Sequence, residues 1–124
     1  MSQDSLDGFE AYRLAMELFD LVVEDVSPLA TKPALTKLVS QQSGSADSIA
    51  VNIEEGHGRE TSKEYTRFLV ISRGSARETK GRYRRLRKWF KPDVVEDRCA
   101  RCDPIIAILT KTINTLKRKG GRNG

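Results

Sequence analysis

Three groups of side chains in this 124-residue chain have types and spacings that invite a chemical reading. The first is cationic. Arg73, Arg77, Lys80, Arg84, Arg87 and Lys91 recur at steps of four and three, with Arg82, Arg85 and Lys88 on the adjoining flank. On a helix such a series makes one ridge. Like charges at this spacing cost an isolated helix about 0.2–0.5 kcal/mol per pair, so the ridge gains from an external anion. Nucleic acid supplies one, and neutralising its phosphates releases counterions and makes affinity salt-dependent. Trp89, at the end of the ridge, offers an indole for stacking on an unpaired base, whereas Phe90 falls on the inner stripe. No side chain is placed to read base edges, so backbone-level binding is expected. Two other readings of the same residues stay open. One is a solvated face; the other pairs the ridge with Glu17, Asp20, Glu24 and Asp25 of a neighbouring subunit.

The second group is small and polar. Ser45, Ser48, Asn52 and Glu55 fall at steps of three and four, and Ser72, Ser75 and Glu78 do the same further on. A buried polar group left unpaired costs about 1–3 kcal/mol. These residues are therefore expected to pair across helices, with Asn52, Glu55, Arg59 and Glu78 fixing register and the corner at Gly56 and Gly58. Acid–base work by Glu55 and Glu78 is the catalytic alternative, but it lacks a nucleophile, a metal set and a cleft signal.

Cys99-x-x-Cys102 is the third group. With no second cysteine pair and one histidine, His57, a four-ligand zinc site within the chain is not supported. Two cysteines one turn apart on an apolar seam suit small buried hydrophobes. His57, between two glycines, is expected to be exposed or capping, and Gly56-His57-Gly58 is no phosphate loop. The expectation is a protein that is not an enzyme, with no catalytic residue, metal, cofactor or small-molecule substrate.

The elements that position these residues are helical. Phe9, Tyr12, Met16, Phe19, Val23 and Val26 recur on one stripe, widened by Ala15, Leu18 and Val22, which predicts a helix over 6–26 touching two neighbours. Ser27-Pro28 and Lys32-Pro33 break the chain. A second helix is predicted over 34–55, with Leu35, Leu38, Gln42, Ala46, Ile49 and Ile53 inward and Gly56 and Gly58 as its stop. Thr61 and Glu64 have capping-box form and open a third helix over 62–90, with Tyr65, Phe68, Ser72, Ser75, Thr79, Tyr83, Leu86 and Phe90 inward. The fourth, over 94–118, carries Cys99, Cys102, Ile106, Leu109, Ile113 and Leu116 on one seam. Either Pro104 kinks it or Asp103 caps a shorter helix there; the kink is favoured. A loose basic tail, 119–124, follows. No segment alternates as a strand would, so the fold class is all-α: a single domain, an antiparallel up-down four-helix bundle.

The net charge of +5 conceals a division. Residues 1–58 carry 3 basic and 10 acidic side chains, residues 59–91 carry 12 and 3, and residues 92–124 carry 7 and 4. No apolar run suits a bilayer and no secretory pattern opens the chain, so a cytoplasmic protein with no membrane partner is expected.

Ser48-Ile49, Asn52-Ile53, Glu55-Gly56 and Gly58-Arg59, followed by Glu64, Phe68-Leu69, Gly74-Ser75 and Glu78, form a longer pattern. It resembles the four-helix-bundle family known from proteins encoded in intervening sequences of bacterial 23S rRNA genes. A related branch comprises the accessory variability proteins of diversity-generating retroelements. The resemblance implies a bundle that assembles into a ring-like homo-oligomer, commonly a pentamer. In the retroelement branch it implies a ring that binds a reverse transcriptase and nucleic acid. The alternative function is a protein-binding scaffold or structural oligomer without direct nucleic-acid contact.

Overall fold

Helical periodicity in four stretches is realised as four long helices, preceded by one short one. The computed structural model describes residues 3–123: α1 (Gln3–Asp7), α2 (Glu10–Val26), α3 (Thr36–His57), α4 (Ser62–Arg85) and α5 (Pro92–Asn123), with single 3₁₀ turns at Ser27–Leu29, Pro33–Leu35 and Arg87–Trp89. No strand occurs among the described residues. The α3 helix packs on α2 and α4, and α5 packs on α4 and α2, so the long helices close into a bundle. Bonds from Ser72 to Ile49, Ser75 to Ser48 and Thr79 to Ser45 run in opposite order along α3 and α4, which are therefore antiparallel.

The core draws on all four long helices: Ala11, Ala15, Leu18 and Val22; Ala46, Ile49 and Ile53; Leu69, Ala76 and Tyr83; Cys102, Ile105, Leu109 and Ile113. The facing of α2 differs from the sequence reading. Its inner side is the Ala11, Ala15, Leu18, Val22 and Val26 row, while Met16 and Val23 point outward at 45% and 37% exposure. Periodicity placed the apolar stripe but not its centre, because this helix is apolar over more than one core contact covers. Leu29, Leu35 and Leu86 form a second, smaller cluster at one end.

Boundaries moved for identifiable reasons. Gly8 and Phe9 separate α1 from α2, where one helix was expected. Thr61 caps α4 as predicted, its Oγ1 accepting from the Glu64 amide at 3.2 Å. That helix ends at Arg85 rather than at 90, since Leu86 turns into the small cluster and Phe90 is extended (φ −128°, ψ 156°). Pro92 opens α5, where its missing N–H is no loss. The α5 helix runs through Pro104 unbroken, so Asp103 does not cap a shorter helix. The carbonyl that Pro104 deprives of a donor belongs to Ala100, an exposed residue. Residues 119–123, expected to be a loose tail, continue the helix; Gly124 lies outside the described residues. Gly56 is inside α3, and the C-cap Gly58 has φ −87°, so no left-handed glycine stops the helix.

Candidate nucleic-acid interface

Because α4 ends at Arg85, its cationic row is straight only from Arg73 to Arg84, about 17 Å at 1.5 Å per residue. Arg87, Lys88 and Trp89 sit on the 3₁₀ turn and Lys91 just before α5. The single ridge predicted through Lys91 is thus a row followed by a bend.

The members of the row differ. Arg73 is half-buried and donates from Nη1 to Thr110 Oγ1 at 3.2 Å, a neutral partner that leaves its charge in place. Lys80 is neutralised by Asp103 at 2.6 Å. Arg77, Arg84, Arg85, Arg87, Lys88 and Lys91 are exposed, and none has a carboxylate within 4 Å among the described residues. The Arg87 guanidinium folds back onto the Arg84 carbonyl at 3.3 Å. Trp89 is 48% exposed, and the Lys32 ammonium lies 5.6 Å from its ring centre, so a cation already covers part of the indole.

Arg82, read from the sequence as part of the outer flank, points inward and is 8% exposed. Its Nη1 donates to Gln42 Oε1 at 2.8 Å and Ser45 Oγ at 3.1 Å. Gln42 donates in turn to the Thr79 carbonyl at 2.9 Å, and Ser45 and Thr79 share a 2.8 Å hydroxyl contact. Burial pulls the Arg82 pKa down and the nearby Arg85 charge adds to this, with Glu78 opposing them, since a charge loses hydration in the bundle.

This ladder, continued by Ser75 to Ser48 at 2.8 Å and Asn52 to Ser48 Oγ at 2.9 Å, is the polar seam between α3 and α4. Ser48 and Ser75 join the two helices, Asn52 bonds only to Ser48 of its own helix, and Glu55, Arg59 and Glu78 stand outside the ladder. Glu55 and Arg59 form an exposed pair at 3.2 Å. Glu78 is level with Ser45, ten residues and so about 15 Å along α3 from Glu55, which separates the two carboxylates that acid–base chemistry would need together. Gly56 does belong to the corner. A Cβ there would stand 2.8 Å from Tyr65 Cδ1 and 2.9 Å from Phe68 Cβ, whereas one on Gly58 would meet only the Glu55 carbonyl at 3.9 Å.

The basic surface also extends beyond α4. Where Arg73 meets Thr110, a groove on α5 begins, lined by Lys111, Lys117 and Arg118. All three fall inside the helix predicted over 94–118, and the groove that they line lies wholly on α5.

The family profile described as 23S rRNA-intervening sequence protein matches residues 8–111. The chain belongs to that family. The matched span holds α2, α3, α4 and most of α5, and so the whole α4 row. No individual curated protein matches the chain.

In this member of the family the remaining chemical candidates are held in the bundle. Burial pushes the Cys102 thiol up to about 12, far from the thiolate that redox or metal chemistry requires. Cys99 donates its S–H to the Lys80 carbonyl at 3.7 Å. No cluster of three His, Cys, Asp or Glu suited to a metal occurs among the described residues. His57 is buried, contrary to expectation, edge-on to Tyr65 with ring centres 6.2 Å apart. Both of its ring nitrogens lack a hydrogen-bond partner, and burial lowers its pKa.

Asp25 was one of the acids offered to a neighbour. It is instead taken by Arg98 at 2.8 and 3.1 Å and by the Tyr83 hydroxyl at 2.7 Å, a link between α2, α4 and α5 that no local spacing revealed. No helix is long and apolar enough to cross a membrane among the described residues.

Proposed function

We propose that this protein is a non-catalytic nucleic-acid-binding subunit of a homo-oligomer, with its basic face running along α4 and onto the outer side of α5. The observation that carries the reading is the unpaired state of Arg77, Arg84, Arg85, Arg87, Lys88 and Lys91. Among the described residues no carboxylate reaches them, so their charge is available to phosphate. The family's association with an rRNA gene makes RNA the first probe. No side chain on the face is arranged as a base-edge reader, so phosphate contacts dominate and the affinity falls steeply with salt.

The deciding variant is Arg77→Glu/Arg84→Glu/Arg87→Glu, three exposed positions. Fluorescence anisotropy with a labelled RNA at low salt should show binding lost while helicity and melting temperature persist. Variants reversed one at a time should flatten the salt slope by about one per phosphate contact removed. Unchanged affinity in the folded triple variant refutes the proposal.

A protein-docking scaffold has its own observation in favour: Val51, Val70 and Ile71 are apolar and exposed. In that reading the basic face meets an acidic protein surface, and the retroelement resemblance makes a reverse transcriptase the partner. Capture of such a partner by the wild type, lost in the same triple variant with no RNA binding by either, favours this second reading.

A further inference from the structure

Between the end of α4 and the start of α5 lies a groove of about 600 Å³, within the range of about 300–1,000 Å³ typical of small-ligand sites. Lys80 and Arg84 of α4 and Arg87 of the following turn line one side, and Val95, Glu96, Cys99, Ala100 and Asp103 of α5 line the other. We propose that this groove grips one unpaired ribonucleotide of a single-stranded RNA. The inference rests on the nucleic-acid reading above and adds to it a place, a strandedness and a sugar.

Three features converge on that occupant. The first is charge. Lys80 is pinned by Asp103 at 2.6 Å, but Arg84 and Arg87 have no carboxylate, and the 3.3 Å bond from Arg87 Nη1 to the Arg84 carbonyl keeps the second guanidinium beside the first. Two neighbouring planar donors with free edges match the oxygens of a phosphate. The second is apolar surface. Val95 and Cys99 are half-buried against the core, and the Cys99 S–H is already spent on the Lys80 carbonyl. Its sulfur therefore offers polarisable apolar area. A base lifted out of its stack needs such a surface, because its faces would otherwise be left in water.

The third feature is an acceptor. Glu96 is exposed and unpaired among the described residues, although it lines the same groove as two unpaired guanidiniums. A carboxylate repels phosphate, so a site for phosphate alone gains nothing from it. It does accept from a ribose 2′-hydroxyl, which a ribonucleotide brings and a deoxyribonucleotide lacks. A duplex keeps its base faces stacked and its Watson–Crick edges paired, and cannot enter.

The test uses the full chain and three fluorescein-labelled probes of one sequence: a 12-nucleotide RNA strand, the same strand as DNA, and the RNA duplex. Ala100→Glu places a carboxylate in the groove. Ala107→Glu makes the same charge change on the same helix, beside Lys111 and Arg118 in the other groove. Both alanines are exposed, so both variants fold. Ala100→Glu should weaken single-stranded RNA by about tenfold or more, since a carboxylate set in the groove opposes the phosphate held there, and should weaken the duplex no more than Ala107→Glu does. The wild type should prefer the RNA strand to the DNA strand, and Glu96→Gln should shrink that preference.

Equal losses for the two alanine variants on single-stranded RNA overturn the groove assignment, and equal wild-type affinity for the RNA and DNA strands overturns the ribose contact. A wild type that binds no probe at all refutes the nucleic-acid reading itself. Binding that ignores Ala100→Glu refutes only the groove.

Discussion

Ionisable side chains in this bundle fall into those held by partners and those left to solvent or burial, and His57 is the case where the difference reads out in stability. Its ring is enclosed, neither nitrogen finds a partner, and burial lowers its pKa from the ordinary 6.5. The unfolded chain therefore binds a proton at a higher pH than the folded one. Between the two values the unfolded state carries more protons, so stability rises with pH. The contribution is complete above about pH 6.5 and is lost as the pH falls toward the depressed folded value. Urea midpoints measured from pH 7 down to 5 should decline for the wild type and stay flatter for His57→Leu, which keeps the apolar contact with Tyr65 and removes the titration. Asp97 is the other group that could tilt the curve. Hydrogen bonds from Arg101 and Arg98 hold its carboxyl below the usual range, so its loss comes at lower pH, outside this window. Parallel curves for the two proteins would show that His57 is not protonated on unfolding there.

At the level of the helices, glycine separates packing from propensity. Gly56 is buried inside α3, where a methyl group would press on Tyr65 and on the Cβ of Phe68. Gly44 and Gly74 are also helical, and a Cβ on either meets nothing within 4 Å. Alanine is favoured over glycine in a helix interior by about 0.5–1 kcal/mol. Gly44→Ala and Gly74→Ala should each raise stability by about that much, whereas Gly56→Ala should lower it by about 1–3 kcal/mol through overpacking. Thermal and urea unfolding of the three variants decide this, and a stabilised Gly56→Ala would mean that the α3–α4 corner is looser than its contacts indicate.

The same helices show what the sequence could carry. Number, order and type of the long helices follow from period and breakers, because proline, capping threonine and apolar spacing act locally. The early end of α4 and the inward turn of Arg82 depend on Leu29, Leu35 and Gln42, which are distant in sequence. Nothing local to 62–90 announces them. Asp25 looked free for the same reason: its partners are 58 and 73 residues away. Of the basic face, the exposed α4 members were legible by spacing alone, while Lys111 and Arg118, inside the predicted fourth helix, share no spacing with that row.

For the molecule as a whole, the outward apolar row of α2 and the cations without partners lie on different helices. The α2 helix turns Met16 and Val23 to solvent with Phe19 half-buried, and exposes Glu17, Asp20 and Glu24 around them. The α4–α5 face holds the cations without partners. A second copy of the chain can cover the apolar row of α2, which would otherwise cost contact with water at about 25 cal/mol per Å². The surrounding acids keep that contact away from an anionic ligand and oriented by charge. Light scattering at micromolar concentration should give a mass that is a multiple of 13.9 kDa, and Met16→Glu/Val23→Glu should return it to one unit with helicity retained. Salt distinguishes what holds the copies together. An apolar α2 contact persists as ionic strength rises, whereas a contact made by Glu17, Asp20 and Glu24 against the basic face dissolves over the range in which exposed charges are screened. The second outcome would also mean that each copy occupies its neighbour's cations, and RNA would then have to compete with the ring for them. A wild-type mass of 13.9 kDa would leave the outward row of α2 without a second copy to cover it and would remove the oligomer from the proposal.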